Sequence, residues 1–140
     1  PDLVLDETLP PNIALLYRLG SGDYNPMHVD PETAERLGFA DGPILHGPST
    51  LGFVARQVLA AAEERWQQPG RALDFRSLRV RYSAPVRPGD TLATSLWFEE
   101  TEGRLRVVFE TREKASGRVA LSNAAMELEA TATPTSTSRL

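Results

Sequence analysis

Residues 48–66 read PSTLGFVARQVLAAAEERW, and this stretch carries the longest helical pattern of the chain. Its apolar residues recur at intervals of three and four, which places them along one face of an α-helix. That face comprises Leu51, Val54, Ala55, Val58, Leu59 and Ala62. The stretch is therefore predicted to form a long helix from Pro48 to about Trp66 that buries this stripe.

After Gln68-Pro69-Gly70 the apolar period changes to two, which is typical of strands with one buried face. The predicted strands cover residues 78–82, 92–98, 105–109 and 118–129, and a short extended piece lies at residues 3–5. The turns are short enough for antiparallel hairpins or meanders, and lie at Pro88-Gly89-Asp90, Glu102-Gly103 and Ser116-Gly117. A helix followed by a run of strands predicts an α+β fold, with one long helix on an antiparallel sheet.

Two shorter helices are predicted ahead of the long one. Residues 12–19 carry apolar side chains on one face, and Gly20 is placed to end that helix. Asp30 has the N-cap position before Pro31, which begins a second helix that stops at Gly38.

The composition is that of one globular domain, with 140 residues of which 41% are hydrophobic. A net charge of -4 with interspersed signs offers no broad cationic face, so nucleic acid is not expected as a partner. There is no cysteine for a disulfide, a thiolate nucleophile or a cysteine metal site. No apolar run approaches the roughly 20 residues of a membrane helix, so no membrane insertion is expected. The domain is predicted over residues 1–130, with a flexible tail at residues 131–140.

The chemistry is concentrated in Asp23-Tyr24-Asn25-Pro26-Met27-His28, where Pro26 biases the chain away from helical angles and favours a shaped loop. A carboxylate and an imidazole that converge on one water can raise its nucleophilicity and return a proton to a neighbouring carbon. Asp23 and His28 form such a pair if the turn brings them together, and Asn25 would orient the water or a neighbouring side chain. Gly47, at the start of the long helix, offers a backbone N–H to a carbonyl oxygen that gains charge.

Simpler interpretations of the same residues remain open. In one of them, Asp23 is only a turn residue that caps nearby amides, and His28 packs beside it. The only other histidine, His46, is expected to brace the loop, because the residue after it is the oxyanion donor. Five arginines can either line a solvated face or meet the phosphates of a nucleotide-bearing substrate, and these are Arg56, Arg76, Arg79, Arg81 and Arg87.

Several linked motifs resemble the signature of the MaoC-like (R)-specific enoyl-CoA hydratases, the hydratase 2 family. They are Tyr17-Arg18-Leu19, residues 21–31 (SGDYNPMHVDP), Gly38-Phe39 and residues 43–47 (PILHG). The likeness is greatest to the C-terminal hot-dog unit of hydratase 2 in the peroxisomal multifunctional enzymes of type 2, and it extends through residues 84–92 and 122–124. The chain is longer than the family motif at Gly20 and in the Ala40-Asp41-Gly42 loop.

The resemblance implies a hot-dog fold and the reversible syn hydration of a trans-2-enoyl-CoA to a (3R)-3-hydroxyacyl-CoA. No metal or organic cofactor is implied, since CoA is part of the substrate. Asp23 and His28 match the catalytic pair that holds the water, and Asn25 matches its supporting amide. The N–H of Gly47 matches the oxyanion-hole donor.

The resemblance also implies a homodimer or a second hot-dog unit, because long members join two units and only the catalytic type is present here. Pro1 is not a methionine, so the natural start is expected to have been removed or to lie upstream. Ser138-Arg139-Leu140 resembles a peroxisomal address, although a bacterial cytoplasmic hydratase can also end this way. The rival functions are a hot-dog acyl-CoA thioesterase and a non-catalytic acyl-CoA-binding subunit.

Overall fold

The computed structural model describes residues 1–66 and 71–132 of the 140-residue chain. The helices are α1 (Ile13–Ser21), a short 3-10 helix (Pro26–His28), α2 (Pro31–Arg36) and α3 (Gly47–Arg65). The strands are β1 (Leu3–Thr8), β2 (Arg71–Tyr82), β3 (Thr91–Thr101), β4 (Arg104–Glu113) and β5 (Val119–Ala132). The long helix, the strands and the α+β class are confirmed. Residues 133–140 of the predicted tail lie outside the described residues.

The described strands form one antiparallel sheet in the order β1-β3-β4-β5-β2. The turns after β3 and β4 make hairpins, as predicted, because β4 pairs with both neighbours in sequence. The prediction of a hairpin or meander between β2 and β3 was wrong, since β4 and β5 lie between these two strands in the sheet. Pro85 and Pro88 lie in that connection and have no N–H for a ladder, so the chain leaves the sheet there.

The connection between β2 and β3 runs beside the start of α3. The N–H of Leu45 donates to the carbonyl oxygen of Val86 at 2.7 Å, which ties this connection to the segment ahead of the helix. Both residues are buried. The crossover therefore fixes the position at which α3 begins.

The core lies between α3 and the sheet. Val54, Val58 and Ala62 of the predicted stripe are fully buried, while Leu51, Ala55 and Leu59 at its margins are half-buried. The sheet contributes buried side chains from three strands: Leu92, Leu96, Leu105, Val107, Phe109, Leu121, Met126 and Leu128. No helix within residues 1–66 and 71–132 is long and apolar enough to cross a membrane.

The turn between β4 and β5 is closed by a carboxylate. Glu113 accepts the N–H groups of Ala115 and Ser116 at 2.7 and 2.8 Å. Hydrogen bonds from the side chain of Ser116, and then from these two N–H groups, lower the pKa of Glu113. The turn is therefore stabilised by the ionised form of this residue.

Candidate functional site

The position of Asp23 is set by the end of α1. The helix continues through Gly20 and ends at Gly22, whose φ of 73° is left-handed and whose N–H donates to the carbonyl of Arg18. The prediction that Gly20 ends this helix was therefore wrong. Glycine tolerates the left-handed cap without a Cβ clash, which explains why the chain turns at Gly22 and releases Asp23 into a loop.

Two side chains shape the loop from Asp23 to His28. The carboxylate of Asp23 accepts the N–H of Asn25 at 3.1 Å, and the amide oxygen of Asn25 accepts the N–H of Met27 at 3.2 Å. Pro26 then begins the short 3-10 helix that carries His28. Asp23 is thus a turn-capping residue, as the simpler interpretation holds, and Asn25 uses its oxygen to hold the turn.

The loop brings His28 back against the segment that precedes α3. Its ring is buried, and its Nδ1 lies 2.8 Å from the carbonyl oxygen of Ile44. A carbonyl only accepts, so Nδ1 donates and carries the proton of the neutral ring. The Nε2 atom of His28 then has a free lone pair that can accept a proton.

Asp23 and His28 meet at a third side chain, that of His46. A carboxylate oxygen of Asp23 and one nitrogen from each imidazole all lie within 4.8 Å of one another. The two imidazole rings stack with their centroids 3.7 Å apart and their planes 26° apart. His46 Nε2 lies 3.3 Å from the Asp23 carbonyl oxygen and 3.9 Å from its carboxylate. The loop is therefore both a capped turn and an acid-base cluster.

The expectation that His46 braces the loop agrees with these contacts. His46 is 2% exposed and lies at the N-cap of α3, where its side chain makes no capping bond. The ring of Tyr17 also packs against the ring of His46, with the two centroids 4.8 Å apart. Burial first, and then the neighbouring His28, lower the pKa of His46 despite the opposing effects of Asp23.

Asp23, His28 and His46 are of residue types that bind divalent metals, but the orientation of their side chains favours proton transfer. A metal lies in the plane of each imidazole that binds it, along the nitrogen lone pair. Two stacked rings direct those lone pairs side by side and not toward one point. His46 Nε2 also faces the Asp23 carbonyl oxygen, which a donating N–H satisfies.

Gly47 is the first residue of α3, where the helix dipole places partial positive charge. Its N–H donates to no backbone or side-chain acceptor within residues 1–66 and 71–132, so it remains available to a ligand. A protein side chain lies close to this glycine, since a Cβ on Gly47 would be 3.1 Å from Cε1 of Tyr82. Gly47 and Tyr82 line a cavity of about 300 Å³ that is mainly apolar.

His28, on the acid-base side of the candidate site, borders a different cavity from the one beside Gly47. His28 lines a space of about 350 Å³ together with Leu15, Pro43 and Arg87. Asp41, from the Ala40-Asp41-Gly42 loop, pairs with Arg87 there at 2.8 Å. The segment Pro43–Gly47 thus lies between the two cavities, with Pro43 lining one and Gly47 the other.

The five candidate arginines fall into two groups. Arg56 pairs with Glu7, Arg76 with Glu129, and Arg87 with Asp41. Arg79 and Arg81 are exposed on β2 and pair with no carboxylate in the part of the chain that the structure describes. A role in phosphate binding stays a prediction for all five.

Two residues of the site were missed by the sequence analysis. Tyr17 contacts His46, and Tyr82 covers Gly47. Tyr17 was noted as part of the motif Tyr17-Arg18-Leu19, without a role, and Tyr82 only as the last residue of a predicted strand. The motif was the one signal that could have found Tyr17, whereas the alternation of the strand reports burial alone.

The chain belongs to the MaoC like domain family, whose sequence model matches residues 1–121. It is 42% identical over 128 residues to peroxisomal multifunctional enzyme type 2 of Mus musculus, covering 91% of this chain and 16% of that protein. It is 39% identical over 122 residues to enoyl-CoA hydratase 2, peroxisomal, of Arabidopsis thaliana, covering 87% of this chain and 36% of that protein.

The solved structure of full-length peroxisomal multifunctional enzyme type 2 from Drosophila melanogaster matches with a TM-score of 0.76 and 40% identity. The match covers 92% of this chain and 22% of that chain. The predicted family and hot-dog fold are therefore confirmed. The chain spans well under half the length of each of these three relatives.

Proposed function

We propose that this chain is an (R)-specific enoyl-CoA hydratase, a hydro-lyase of fatty-acid metabolism. It would add water reversibly and with syn geometry to a trans-2-enoyl-CoA, giving a (3R)-3-hydroxyacyl-CoA. The observation that carries this proposal is the convergence of the Asp23 carboxylate and a His28 nitrogen within 4.8 Å. The name of the Arabidopsis relative, enoyl-CoA hydratase 2, supports the same reaction class.

In the proposed reaction, a water held between Asp23 and His28 attacks C3 of the substrate. One member of the pair accepts a proton from the water, and a proton reaches C2 from the same face. The hydroxyl group and the hydrogen that are added therefore sum to one water, and the pair returns to its starting protonation state. Asn25 keeps the turn between the two residues in shape through its bond to Met27.

Charge develops on the thioester carbonyl oxygen when C3 is attacked, because the product of this step is an enolate. The free N–H of Gly47, at the positive end of the α3 dipole, is the donor that we assign to this oxygen. The apolar cavity beside Gly47 would exclude water around it. The proposed reaction uses no metal and no organic cofactor, since CoA enters as part of the substrate.

The proposed active form is a homodimer or a pair with a second hot-dog unit. Leu15, Leu16 and Leu19 of α1 are each more than half exposed, which is costly for a free monomer. The edge strand β2 also presents Phe75, which is 54% exposed. Sedimentation equilibrium of the purified chain tests this proposal, and a monomer that hydrates at full rate would contradict it.

We also propose a peroxisomal location, because both the mouse and Arabidopsis relatives are named as peroxisomal. The test is the localisation, in eukaryotic cells, of the chain fused at its N-terminus to a fluorescent protein, with and without residues 138–140. Import that depends on these residues supports the proposal. A diffuse signal from both forms would favour the alternative, a bacterial cytoplasmic enzyme.

The hydratase assay follows loss of the enoyl-thioester absorbance, with chiral analysis of the 3-hydroxyacyl product. Asp23→Asn and His28→Ala are expected to lower kcat on the order of 10²-fold to 10⁴-fold, the usual contribution of general acid-base catalysis. Asp74→Asn makes the same chemical change at an exposed position of β2 and should leave turnover unchanged.

The same assay separates the rival functions. Release of free CoA thiol without hydration would identify a thioesterase and refute the proposal. Unchanged turnover of the complete assembly in both Asp23→Asn and His28→Ala would identify a non-catalytic acyl-CoA-binding subunit.

A further inference from the structure

His46 is the most enclosed polar side chain beside the candidate site, and it contacts both members of the proposed catalytic pair. Its ring stacks on His28 at 3.7 Å and its Nε2 lies 3.3 Å from the Asp23 carbonyl oxygen. Tyr17 packs against the ring at 4.8 Å. The ring is therefore held from several directions, and its own position constrains Asp23 and His28.

The contacts define the protonation state of His46. A bond to the Asp23 carbonyl oxygen needs a donor, so Nε2 carries a proton. The Nδ1 atom is buried and has no hydrogen-bond partner in the ranges that the structure describes. A second proton would place a charged N–H at Nδ1 without an acceptor, which is costly in a buried position. The ring is therefore neutral, as the Nε2–H tautomer.

We infer that His46 is a positioning residue for the proposed hydratase site, acting as a neutral ring that fixes the Asp23 backbone and supports the face of His28. This inference rests on the proposed function. A neutral His46 leaves His28 as the Nδ1–H tautomer with its Nε2 lone pair free. It also keeps a cation away from the Asp23 carboxylate 3.9 Å distant, where a positive charge would weaken that group as a base.

Two variants separate the contributions of His46. His46→Phe keeps an aromatic ring for the stack and loses the donor to Asp23, whereas His46→Gln keeps a neutral donor and loses the ring. His46→Phe is expected to lower kcat roughly tenfold, on the order of what one net hydrogen bond contributes. His46→Gln is expected to lower kcat by up to roughly tenfold through loss of the ring stack on His28, the size of an aromatic-pair contribution. KM should be unchanged in both, because His46 does not touch substrate. Circular dichroism and thermal unfolding report whether each variant is folded.

A double-mutant cycle distinguishes positioning from general destabilisation. If His46 acts through Asp23, His46→Phe should cause little further loss of kcat in an Asp23→Asn background. An equal loss in both backgrounds, or no loss in the wild-type background, would overturn the inference. If His46→Phe does not fold, His46→Gln, which loses the ring that stacks on His28, is tested in a His28→Ala background, where little further loss of kcat is expected.

A second measurement does not depend on activity. The chain has two histidines, so the long-range proton–nitrogen NMR spectrum contains two imidazoles, and His46→Phe assigns them. Between pH 6 and 8 the expected result is a neutral Nε2–H ring for His46, and for His28 a proton on Nδ1, which donates to the Ile44 carbonyl oxygen. The charged and titratable groups that face His46 are Asp23, His28 and Tyr17. A doubly protonated His46 would overturn the inference even in an active enzyme, whereas an inactive wild type with these tautomers would refute the proposed function alone.

Discussion

Replacing Gly47 by proline would remove a single N–H from the start of α3 while leaving the helix in place. Proline is well tolerated at the first position of a helix, where its missing N–H has no partner within the helix. It also requires an extended preceding residue, and His46 already has φ of -57° and ψ of 129°. Residue 48 is also a proline, which restricts any preceding residue that carries a Cβ, but Gly47→Ala meets the same restriction, so the two variants share this local cost.

Proline also adds a Cβ, and the structure shows what that atom meets. A Cβ on residue 47 would lie 3.1, 3.3 and 3.4 Å from three atoms of the Tyr82 ring. Tyr82 is 49% exposed, so it can move by a few tenths of an ångström. Gly47→Ala adds the same Cβ and keeps the N–H. The difference between the two variants therefore isolates the proposed oxyanion donor.

The expected size of that difference follows from the chemistry. Loss of one oxyanion-hole donor costs on the order of 10²-fold to 10³-fold in kcat. Gly47→Ala is expected to show only the cost of crowding, about 1 to 3 kcal/mol of stability at most, because overpacking at a half-exposed ring relaxes. Gly47→Pro should show a similar loss of stability and a much lower kcat.

The assay is enoyl-CoA hydration at saturating substrate, with urea unfolding of both variants to compare their stability. Tyr82→Leu serves as a companion background, since a smaller side chain relieves the contact with the new Cβ. Equal kcat values for Gly47→Ala and Gly47→Pro, in folded proteins, would refute the assignment of the Gly47 N–H to the thioester oxygen.

Three further predictions concern stability. Leu96→Ala, at a fully buried position, should lower the free energy of unfolding by about 2 to 5 kcal/mol. Leu37→Ala, at a position that is 57% exposed, should change it by less than about 0.5 kcal/mol in the same urea titration. Gly22→Ala should lower the free energy of unfolding by about 1 kcal/mol, because the φ of residue 22 is 73°. Gly20→Ala lies inside the helix with open space around it and should raise the free energy of unfolding by up to about 1 kcal/mol. Stabilisation by both variants would contradict the cap at Gly22. The pKa of Glu113 in the folded state lies below its ordinary value of 4.5, so the ionised form stabilises the fold above that pH. The difference in free energy of unfolding between wild type and Glu113→Gln should disappear as the pH falls through the folded pKa. Urea unfolding at each pH measures this difference, and a difference that persists in acid would contradict the prediction.

The sequence was sufficient for the elements of the fold because periodicity reports which side chains are buried. Val54 and Val58 lie where the helical period places them, and the alternating residues of β4 reach the core. Periodicity does not report which strands pair, so the crossover between β2 and β3 was missed. Gly20 and Gly22 are equally able to end a helix by composition, and only the backbone angle distinguishes them.

For the candidate site, the local part was predictable and the tertiary part was not. The Asn-Pro turn was expected to bring Asp23 and His28 together, and the structure places them in one cluster. Gly47 was expected at the start of the long helix, and the structure places it there. The stacking of His46 on His28 and the contact of Tyr82 with Gly47 join residues far apart in the chain, so no local pattern contained them.

The four residues from Ile44 to Gly47 each hold a different part of the site. Ile44 accepts from His28, Leu45 donates to the β2–β3 connection, His46 contacts Asp23, and Gly47 presents a free N–H. Residues 44–47 therefore set the relative positions of Asp23, His28 and the Gly47 N–H through contacts made by consecutive residues. Loops on either side can therefore gain or lose residues during evolution, while one insertion within residues 44–47 would put every contact out of register.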